Sequence, residues 1–215
     1  VEHQVLVDIR NLLRCELVND TIKKFKQNAI DLELPRRIDK FLPKDTFLSS
    51  LEKYYGIKYL APSDARDTGL KADSIDVITS TNTLEHISPH DIQKILLECH
   101  RLLRNDGLMS LFIDYKDHYS YFDHNISTYN FLQYSDRTWK FFNPPLHYQN
   151  RLRHSDYLRL FQQAGFEILD ERRTDGMAAD LEVIERLSLD KRFESYTTAD
   201  LAVRSSHIIL KKLIR

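Results

Sequence analysis

The chain has 215 residues, 42% of them hydrophobic and 29% charged, which is the composition of a globular protein with a sizeable core. Its formal net charge of -1 gives no electrostatic reason to expect nucleic acid or an anionic membrane as a partner. No apolar run is long enough to span a bilayer. The isolated Cys15 and Cys99 form no ligand motif, so we expect two reduced thiols in a cytoplasmic protein.

The first third of the chain predicts two strands and two helices. Residues 4–9 are an apolar stretch that ends in an acid and predict a buried strand, and residues 11–27 carry apolar side chains at helical spacing. Residues 28–47 are irregular and are interpreted as an insertion. A helix over 47–55, stopped by a glycine, and a strand over 57–60 follow.

The stretch DSIDVITSTNTLEHI, residues 73–87, has the most informative pattern in the chain. A short apolar strand runs directly into a polar segment that ends in a Glu-His pair. The next residues predict a helix over 90–104, which Ser88 can cap and Pro89 can open. Asn105-Asp106-Gly107 predicts a turn with the glycine available for a left-handed conformation. A fully buried strand over 108–113 follows.

The rest of the chain begins with residues 114–153, which are rich in aromatic and polar side chains and have no firm period. After it, helices are predicted over 157–164 and 180–187, and strands over 166–169 and 206–213. The pattern does not show whether the last two strands pair in a parallel or an antiparallel sense. Strands that alternate with helices predict an α/β domain with a mostly parallel sheet.

Polar residues follow four successive predicted strands. They are Asp8, Asp64, the segment 80–86 and the segment 114–118. In open sheets of this kind, ligands bind beyond the carboxyl ends of the strands. The sequence therefore predicts a binding site built from these four strand ends.

These residues resemble the class I S-adenosylmethionine-dependent methyltransferases, of the type 11 kind. The resemblance rests on the runs VLVDI, APSDA, DSIDVITSTNTLEHI, LLECHRLLRNDGLMSLFI and YLRLFQQAGFEI, and it covers most of the chain. The segment DYKDHYSYFDHNISTYNFLQYSDRTW resembles a bacterial subgroup associated with surface-polysaccharide gene clusters. The resemblance implies a Rossmann-like fold, S-adenosylmethionine as cofactor and a small-molecule or glycan acceptor. A homo-oligomer is left open.

The resemblance also implies residue roles. Asp8, with Ile9 beside it, stands where the family has the acid that binds both ribose hydroxyls of the cofactor, a role that suits a carboxylate. Asp64 and Ala65 stand at the adenine, although Asp64 is almost equally well explained as an Asx-turn residue. Thr81, Asn82 and Leu84 would line the methionine and adenosine portions.

The sequence departs from the family pattern in one respect. No counterpart of the family's first strand, its glycine-rich loop and the following helix is found, and Arg10-Asn11-Leu12 cannot give the close backbone approach that glycines allow. We therefore expect a single domain of 215 residues that is N-terminally incomplete. A non-catalytic methyltransferase-like module that serves in binding or assembly is the alternative.

The catalytic candidates are His118 and His86. An imidazole titrates near neutral pH and can take a proton from a hydroxyl, although the Glu85-His86 pair is more simply explained as loop structure. His118 belongs to an acid-histidine cluster with Asp114, Asp117, Asp123 and His124, whose spacing matches no zinc or calcium pattern, so no metal site is expected.

The acceptor side is predicted from Asp114, Tyr115, Tyr129 and Arg151. Aromatic faces stack on sugars, and an arginine can pair with an anionic acceptor. The alternative is that the aromatic residues of 114–153 form the small core of a lid, which accounts for most of them. We thus expect a methyltransferase that acts on a hydroxyl of a small molecule or glycan.

Overall fold

The computed structural model describes residues 3–27 and 38–213, so the first half of the predicted insertion, residues 28–37, lies outside the described residues. The fold is mixed α/β with parallel strands and flanking helices, as the sequence predicts. The chain divides into two compact units, Val1–Thr68 and Gly69–Arg215. The single-domain organisation stays a prediction.

The first unit contains a pair of parallel strands and two helices. Its elements are β1 (Gln4–Val7), α1 (Cys15–Gln27), α2 (Phe47–Tyr55) and β2 (Ile57–Leu60). Strand β1 pairs with β2 over their whole lengths. Helix α2 ends at Gly56, whose left-handed φ of 66° lets its N–H donate to the carbonyl of Glu52. A small core of Cys15, Ile22, Leu42 and Leu51 holds α1 and α2 together.

The second unit contains four strands, five helices and several short 3₁₀ turns among the described residues. The strands are β3 (Ile75–Thr81), β4 (Leu103–Asp114), β5 (Phe166–Thr174) and β6 (Ser205–Lys212). The helices are α3 (Pro89–Leu102), α4 (Asp136–Phe142), α5 (His154–Gln163), α6 (Ala178–Arg186) and α7 (Thr198–Ala202). Ser88 caps α3 by accepting the N–H of Asp91, as its position before Pro89 predicts.

The sheet of the second unit has the strand order β3-β4-β6-β5. Strands β3 and β4 are parallel, and β6 is antiparallel to both β4 and β5. The pairing sense that the sequence left open is thus antiparallel. Strand β6 lies between β4 and β5, so β6 and β5, the two strands predicted last along the chain, form one side of the sheet.

Two cores stabilise the second unit. The larger one packs α3 and α5 against β4 and β6, with Ile92, Leu96, Tyr157 and Phe161 facing the strand residues Leu111, Ile113, Ile208 and Leu210. The smaller one consists of Tyr129, Phe131, Leu132, Trp139, Ile184, Phe193, Leu201 and Ala202. Half of the smaller core comes from the aromatic segment 114–153 and half from residues 184–202, so the aromatic side chains pack against the C-terminal helices as well as on one another.

The turn predicted at residues 105–107 is not present. Strand β4 begins at Leu103, directly after α3, and residues 104–107 form an irregularity in which Ile75 pairs with Leu103 but Val77 pairs with Leu108. Gly107 is not left-handed. A Cβ at Gly107 would lie 3.1 Å from the carbonyl oxygen of Asp76, so the glycine allows a close backbone approach.

Helices long and apolar enough to cross a membrane are absent from the described part of the chain.

Candidate active site

The carboxyl ends of β3 and β4 lie side by side. Thr81 at the end of β3 pairs with Phe112, and the N–H of Asn82 donates to the Phe112 carbonyl at 3.0 Å. The segments that follow the two strands, 82–87 and 114–118, therefore start from neighbouring points, as two adjacent parallel strands require. This edge brings the predicted polar segments of the second unit together.

The segment after β3 turns at once. Asn82 adopts a left-handed φ of 49°, which asparagine tolerates, and residues Leu84–His86 form one 3₁₀ turn. The side chains of Thr81 and Asn82 are exposed, so they are open to a ligand. Leu84 instead belongs to the larger core and is 4% exposed, which leaves little of its surface for the predicted cofactor contact.

Glu85 is a buried carboxylate. It is 2% exposed, and neither of its carboxylate oxygens accepts a hydrogen bond from a described residue. Burial raises the pKa of Glu85 to about 7, and the negative charge of Asp114 acts in the same direction. The sequence-based interpretation is that the Glu85-His86 pair only shapes the loop. That role would not require a buried carboxylate without a side-chain partner.

The segment after β4 is organised around Asp114. Its carboxylate accepts the backbone N–H of Lys116 at 3.0 Å and the hydroxyl of Tyr121, and it lies 3.4 Å from Nζ of Lys116. Nε2 of His118 is 3.8 Å from the same carboxylate and has no hydrogen-bond partner among the described residues. Burial lowers the pKa of His118 against the opposing charge of Asp114.

His86 and His118, the two catalytic candidates, are neighbours. Their ring centroids are 4.9 Å apart. Nδ1 of His86 donates to the carbonyl oxygen of Tyr148 at 2.8 Å, so Nε2 is the nitrogen with a lone pair when the ring is neutral. One possible ligand atom from each of Glu85, His86 and His118 lies within 4.8 Å of the others.

The segment 148–150 holds these two loops in place. The backbone N–H of Asn150 donates to the carbonyl of Glu85 at 2.9 Å, and its side-chain amide donates to the carbonyls of Leu84 and Ile87. Gln149 donates from Nε2 to the carbonyl of Lys116. Sequence reasoning missed Gln149 and Asn150, because two amides in an irregular aromatic stretch give no periodic signal.

The other members of the predicted acid-histidine cluster have local roles. Asp117 is fully buried and accepts the N–H of Tyr119 at 2.9 Å, and Asp123 accepts the N–H of Asn125 at 2.9 Å. His124 is exposed. Only His118 and Asp114 of the cluster therefore face the segment that contains Glu85.

In the first unit, Asp8 directly follows β1. Its Oδ1 accepts the N–H of Arg10 at 3.0 Å and its Oδ2 accepts the hydroxyl of Tyr59 at 3.1 Å. Each carboxylate oxygen carries two lone pairs, so Asp8 still has acceptor capacity for the hydroxyls of a ribose. The neighbouring Ile9 is 66% exposed, which fits a side chain available to a ligand.

Asp64 follows β2 and is held by local contacts. Its Oδ1 accepts the N–H of Arg66 at 2.9 Å, which is the Asx-turn geometry that the sequence left open. The Arg66 guanidinium also pairs with the Asp64 carboxylate, with a shortest distance of 2.6 Å. Ala65 between them is half-buried. A cofactor amine at Asp64 would compete with Arg66.

Three residues predicted to bind the acceptor lie in the interior. Tyr115 is 2% exposed and its hydroxyl pairs with Ser206 at 2.6 Å. Tyr129 is 1% exposed and donates to the carbonyl of Ala202. Arg151 is 2% exposed and donates to the carbonyl of Phe131 at 2.8 Å. This burial argues against the acceptor contacts predicted for them, because packing and backbone carbonyls already use these side chains.

Comparison with known proteins bears on this site. The family model described as "Methyltransferase domain" matches residues 42–111, about a third of the chain. The matched segment runs from before α2 into β4 and includes β3 and the 82–87 segment. No curated protein matches the chain at a significant level.

Several solved structures are similar in fold. The PH0226 protein of Pyrococcus horikoshii OT3 is 11% identical with a TM-score of 0.46, and the match covers 98% of this chain and 71% of that one. The Burkholderia thailandensis 1,6-didemethyltoxoflavin-N1-methyltransferase, solved with S-adenosylhomocysteine, is 11% identical with a TM-score of 0.45 and coverages of 80% and 59%. The geranyl diphosphate C-methyltransferase of Streptomyces coelicolor A3(2) is 12% identical with a TM-score of 0.46 and coverages of 79% and 57%.

At these scores, the structural likenesses carry no functional inference for this chain. The family match is sequence evidence and falls on the strand and loop that carry Thr81, Asn82, Glu85 and His86. Residues 42–111 match the methyltransferase-domain model, and this match is the basis for the function proposed below.

Proposed function

We propose that the chain transfers a methyl group from S-adenosylmethionine to a hydroxyl of a small molecule or glycan. The observation that carries the proposal is the methyltransferase-domain match over residues 42–111. That match contains the exposed polar residues at the end of β3, beside the end of β4, where ligands of parallel sheets bind. Both the sequence and the position of the polar residues therefore support a cofactor-dependent transfer.

The cofactor supplies an electrophilic methyl group on a sulfonium centre, so the chain's residues mainly bind, orient and exclude water. In the proposal, Asp8 and Ile9 contact the ribose, and Asp64 and Ala65 contact the adenine. Thr81, Asn82 and Leu84 contact the rest of the cofactor. Asp8 is the best supported of these residues, because its carboxylate stands at a strand end and keeps acceptor capacity.

The acceptor side is proposed at His118, His86 and Asp114. A hydroxyl loses its proton when it is methylated, and an imidazole beside the acceptor can orient the O–H group and receive that proton. Nε2 of His118 has no hydrogen-bond partner among the described residues but is buried, whereas the neighbouring His86 is exposed, so an acceptor would first contact His86. In the proposal, Tyr115, Tyr129 and Arg151 support this region from the interior.

A glycan acceptor, as in surface-polysaccharide biosynthesis, is favoured by exposed aromatic side chains in the same segment. Tyr121, Phe122 and Phe141 are 47%, 74% and 83% exposed. Aromatic faces stack on the apolar faces of sugar rings, and this contact needs exposure of the kind seen here. The 114–153 segment thus provides a surface on which a sugar could lie.

Isothermal titration with S-adenosylhomocysteine tests the cofactor site. We expect binding by the wild-type chain and at least a fivefold weaker affinity for Asp8→Asn, because an amide replaces one acceptor oxygen by a donor. Asp45→Asn, at an exposed acid of the same unit, is the matched control and should leave the affinity unchanged. Equal affinities for Asp8→Asn and wild type would show that Asp8 does not bind the cofactor.

The non-catalytic module is favoured by one observation, the Arg66 guanidinium that occupies the carboxylate of Asp64. The same titration distinguishes the two functions. A folded full-length protein that binds no S-adenosylhomocysteine would overturn the methyltransferase proposal and support a binding or assembly role.

A further inference from the structure

Glu85, His86 and His118 form a cluster that ordinary loop packing does not explain. They come from two segments that follow neighbouring strands, and one possible ligand atom of each lies within 4.8 Å of the other two. We infer that these three side chains form a binding site for a divalent transition-metal ion. The sequence predicts no metal site, because the spacing of the acids and histidines within residues 114–124 matches no metal-binding pattern, whereas the cluster combines His118 with Glu85 and His86 from the other segment.

The first argument is the uncompensated carboxylate of Glu85. The residue is 2% exposed, neither of its oxygens has a donor in good hydrogen-bonding geometry, and no lysine or arginine pairs with it among the residues described. Only the backbone N–H groups of Glu85 and Asp114 act to lower its pKa. The charge that acts on it most strongly is that of Asp114, which has the same sign and raises the pKa of Glu85. The cost of an isolated buried carboxylate is removed either by protonation or by a bound cation, and the two imidazoles beside Glu85 favour the cation.

The second argument is the state of the two imidazoles. The Nδ1–H of His86 donates to the carbonyl of Tyr148, which fixes the ring orientation and leaves Nε2 as the ligand nitrogen. This second contact, from the other ring nitrogen to a backbone carbonyl, is the usual support of a metal-binding histidine. Nε2 of His118 is buried and has no hydrogen-bond partner in the described part of the chain. Both nitrogens are therefore available as ligands.

The third argument is the type of donor. Two imidazoles and one carboxylate suit zinc, iron(II) or manganese(II) better than calcium or magnesium, which prefer oxygen ligands alone. Ligands around such an ion are about 3.0–3.5 Å apart, because each bond is about 2.1 Å long. The three ligand atoms lie within 4.8 Å of one another, so metal binding would draw them together by about 1–2 Å. Three protein ligands leave coordination positions open.

A role for the metal in catalysis rests on the proposed function. A metal with open positions would bind the acceptor hydroxyl and lower its pKa, so the acceptor class would be one that offers oxygen ligands, such as a sugar diol. Nε2 of His118 would then be a ligand, and the metal-bound hydroxyl would release its proton to water before the methyl group is transferred. Metal binding itself requires neither the cofactor nor the acceptor, and the two proposals can fail separately.

The test is metal binding by the purified, tag-free chain. Titration with Zn²⁺ should give one site per chain, and Co²⁺ should give a visible absorption band that Zn²⁺ removes. Glu85→Gln and His118→Asn should each weaken Zn²⁺ affinity at least tenfold. His124→Asn, at an exposed histidine of the same segment, should leave the affinity unchanged.

Metal stabilisation of the fold separates a ligand from a residue that is needed only for folding. Zn²⁺ should raise the melting temperature of the wild-type chain and of His124→Asn, and should not raise that of Glu85→Gln, which keeps the shape of the side chain. Absence of a one-to-one site in the wild-type chain would overturn the proposal. Equal Zn²⁺ affinity of folded Glu85→Gln and wild type would also overturn it.

Discussion

Arg151 shows how residue type and residue role differ in this molecule. Its guanidinium donates to the carbonyls of Phe131 and Tyr134 and pairs with Asp136 at 2.6 Å, and its side chain is fully buried. The sequence offers it as a partner for an anionic acceptor, because an arginine among aromatic residues fits that role. The structure instead uses it to hold backbone that has no regular hydrogen bonds, a role that depends on contacts distant in sequence.

Replacing Arg151 by methionine should therefore reduce stability strongly. Loss of the guanidinium leaves the buried Phe131 carbonyl without this donor and leaves Asp136 with Arg192 as its remaining partner. We expect the free energy of unfolding to fall by about 2–4 kcal/mol. Denaturant unfolding followed by the fluorescence of Trp139, the single tryptophan, measures this loss. Arg137→Met, at an exposed site on α4, should change stability by less than about 0.5 kcal/mol, and an equally small effect at Arg151 would contradict the structural role.

At the scale of elements, sequence patterns succeed where a local signal marks both ends. Helix α2 and strand β2 have the predicted bounds, because Gly56 stops the helix and supplies the left-handed residue between them. The predicted end of α3, at residue 104 with a turn after it, was wrong. Asn105-Asp106-Gly107 is a strong turn signal, but in the structure these residues belong to β4, which begins at Leu103. Strand β4 starts at Leu103 because this residue pairs with Ile75 of β3, and a contact between distant residues is not visible in a local sequence pattern.

Gly107→Ala tests the close approach at this junction. The new Cβ would lie 2.5 Å from Cδ2 of the buried Leu103 and 3.0 Å from the carbonyl oxygen of Arg104. We expect a loss of about 2–3 kcal/mol, measured by thermal or denaturant unfolding, because neither β3 nor the core can move freely. Gly69→Ala is the control, since its left-handed φ of 68° has open space around the Cβ. A loss of about 1 kcal/mol is expected there, and a Gly107 effect no larger than the Gly69 effect would refute the steric explanation.

For the whole molecule, the sequence predicts the alternation of strands and helices and the gathering of polar residues at strand ends. It therefore predicts correctly that the segments carrying His86 and His118 are neighbours. It does not predict the burial of Glu85, which depends on hydrogen bonds from the distant Asn150. Nor does it predict the antiparallel β6, because that strand's apolar pattern is the same for either pairing sense.

The last prediction concerns the second unit alone. Both of its cores and all three proposed metal ligands lie within residues 69–215. A separately expressed fragment of these residues should therefore fold, because the apolar surface that stabilises it is buried within the fragment itself. Its Trp139 should give the emission of a buried indole, since the side chain is 5% exposed and its N–H donates to the carbonyl of Gln149.

The fragment should also bind Zn²⁺ with the affinity of the whole chain, and Glu85→Gln in the fragment should reduce that affinity as it does in the whole chain. Tryptophan emission at the wavelength of the denatured chain would show that the unit does not fold alone. A folded fragment that fails to bind Zn²⁺, when the whole chain binds it, would show that a ligand outside residues 69–215 completes the site.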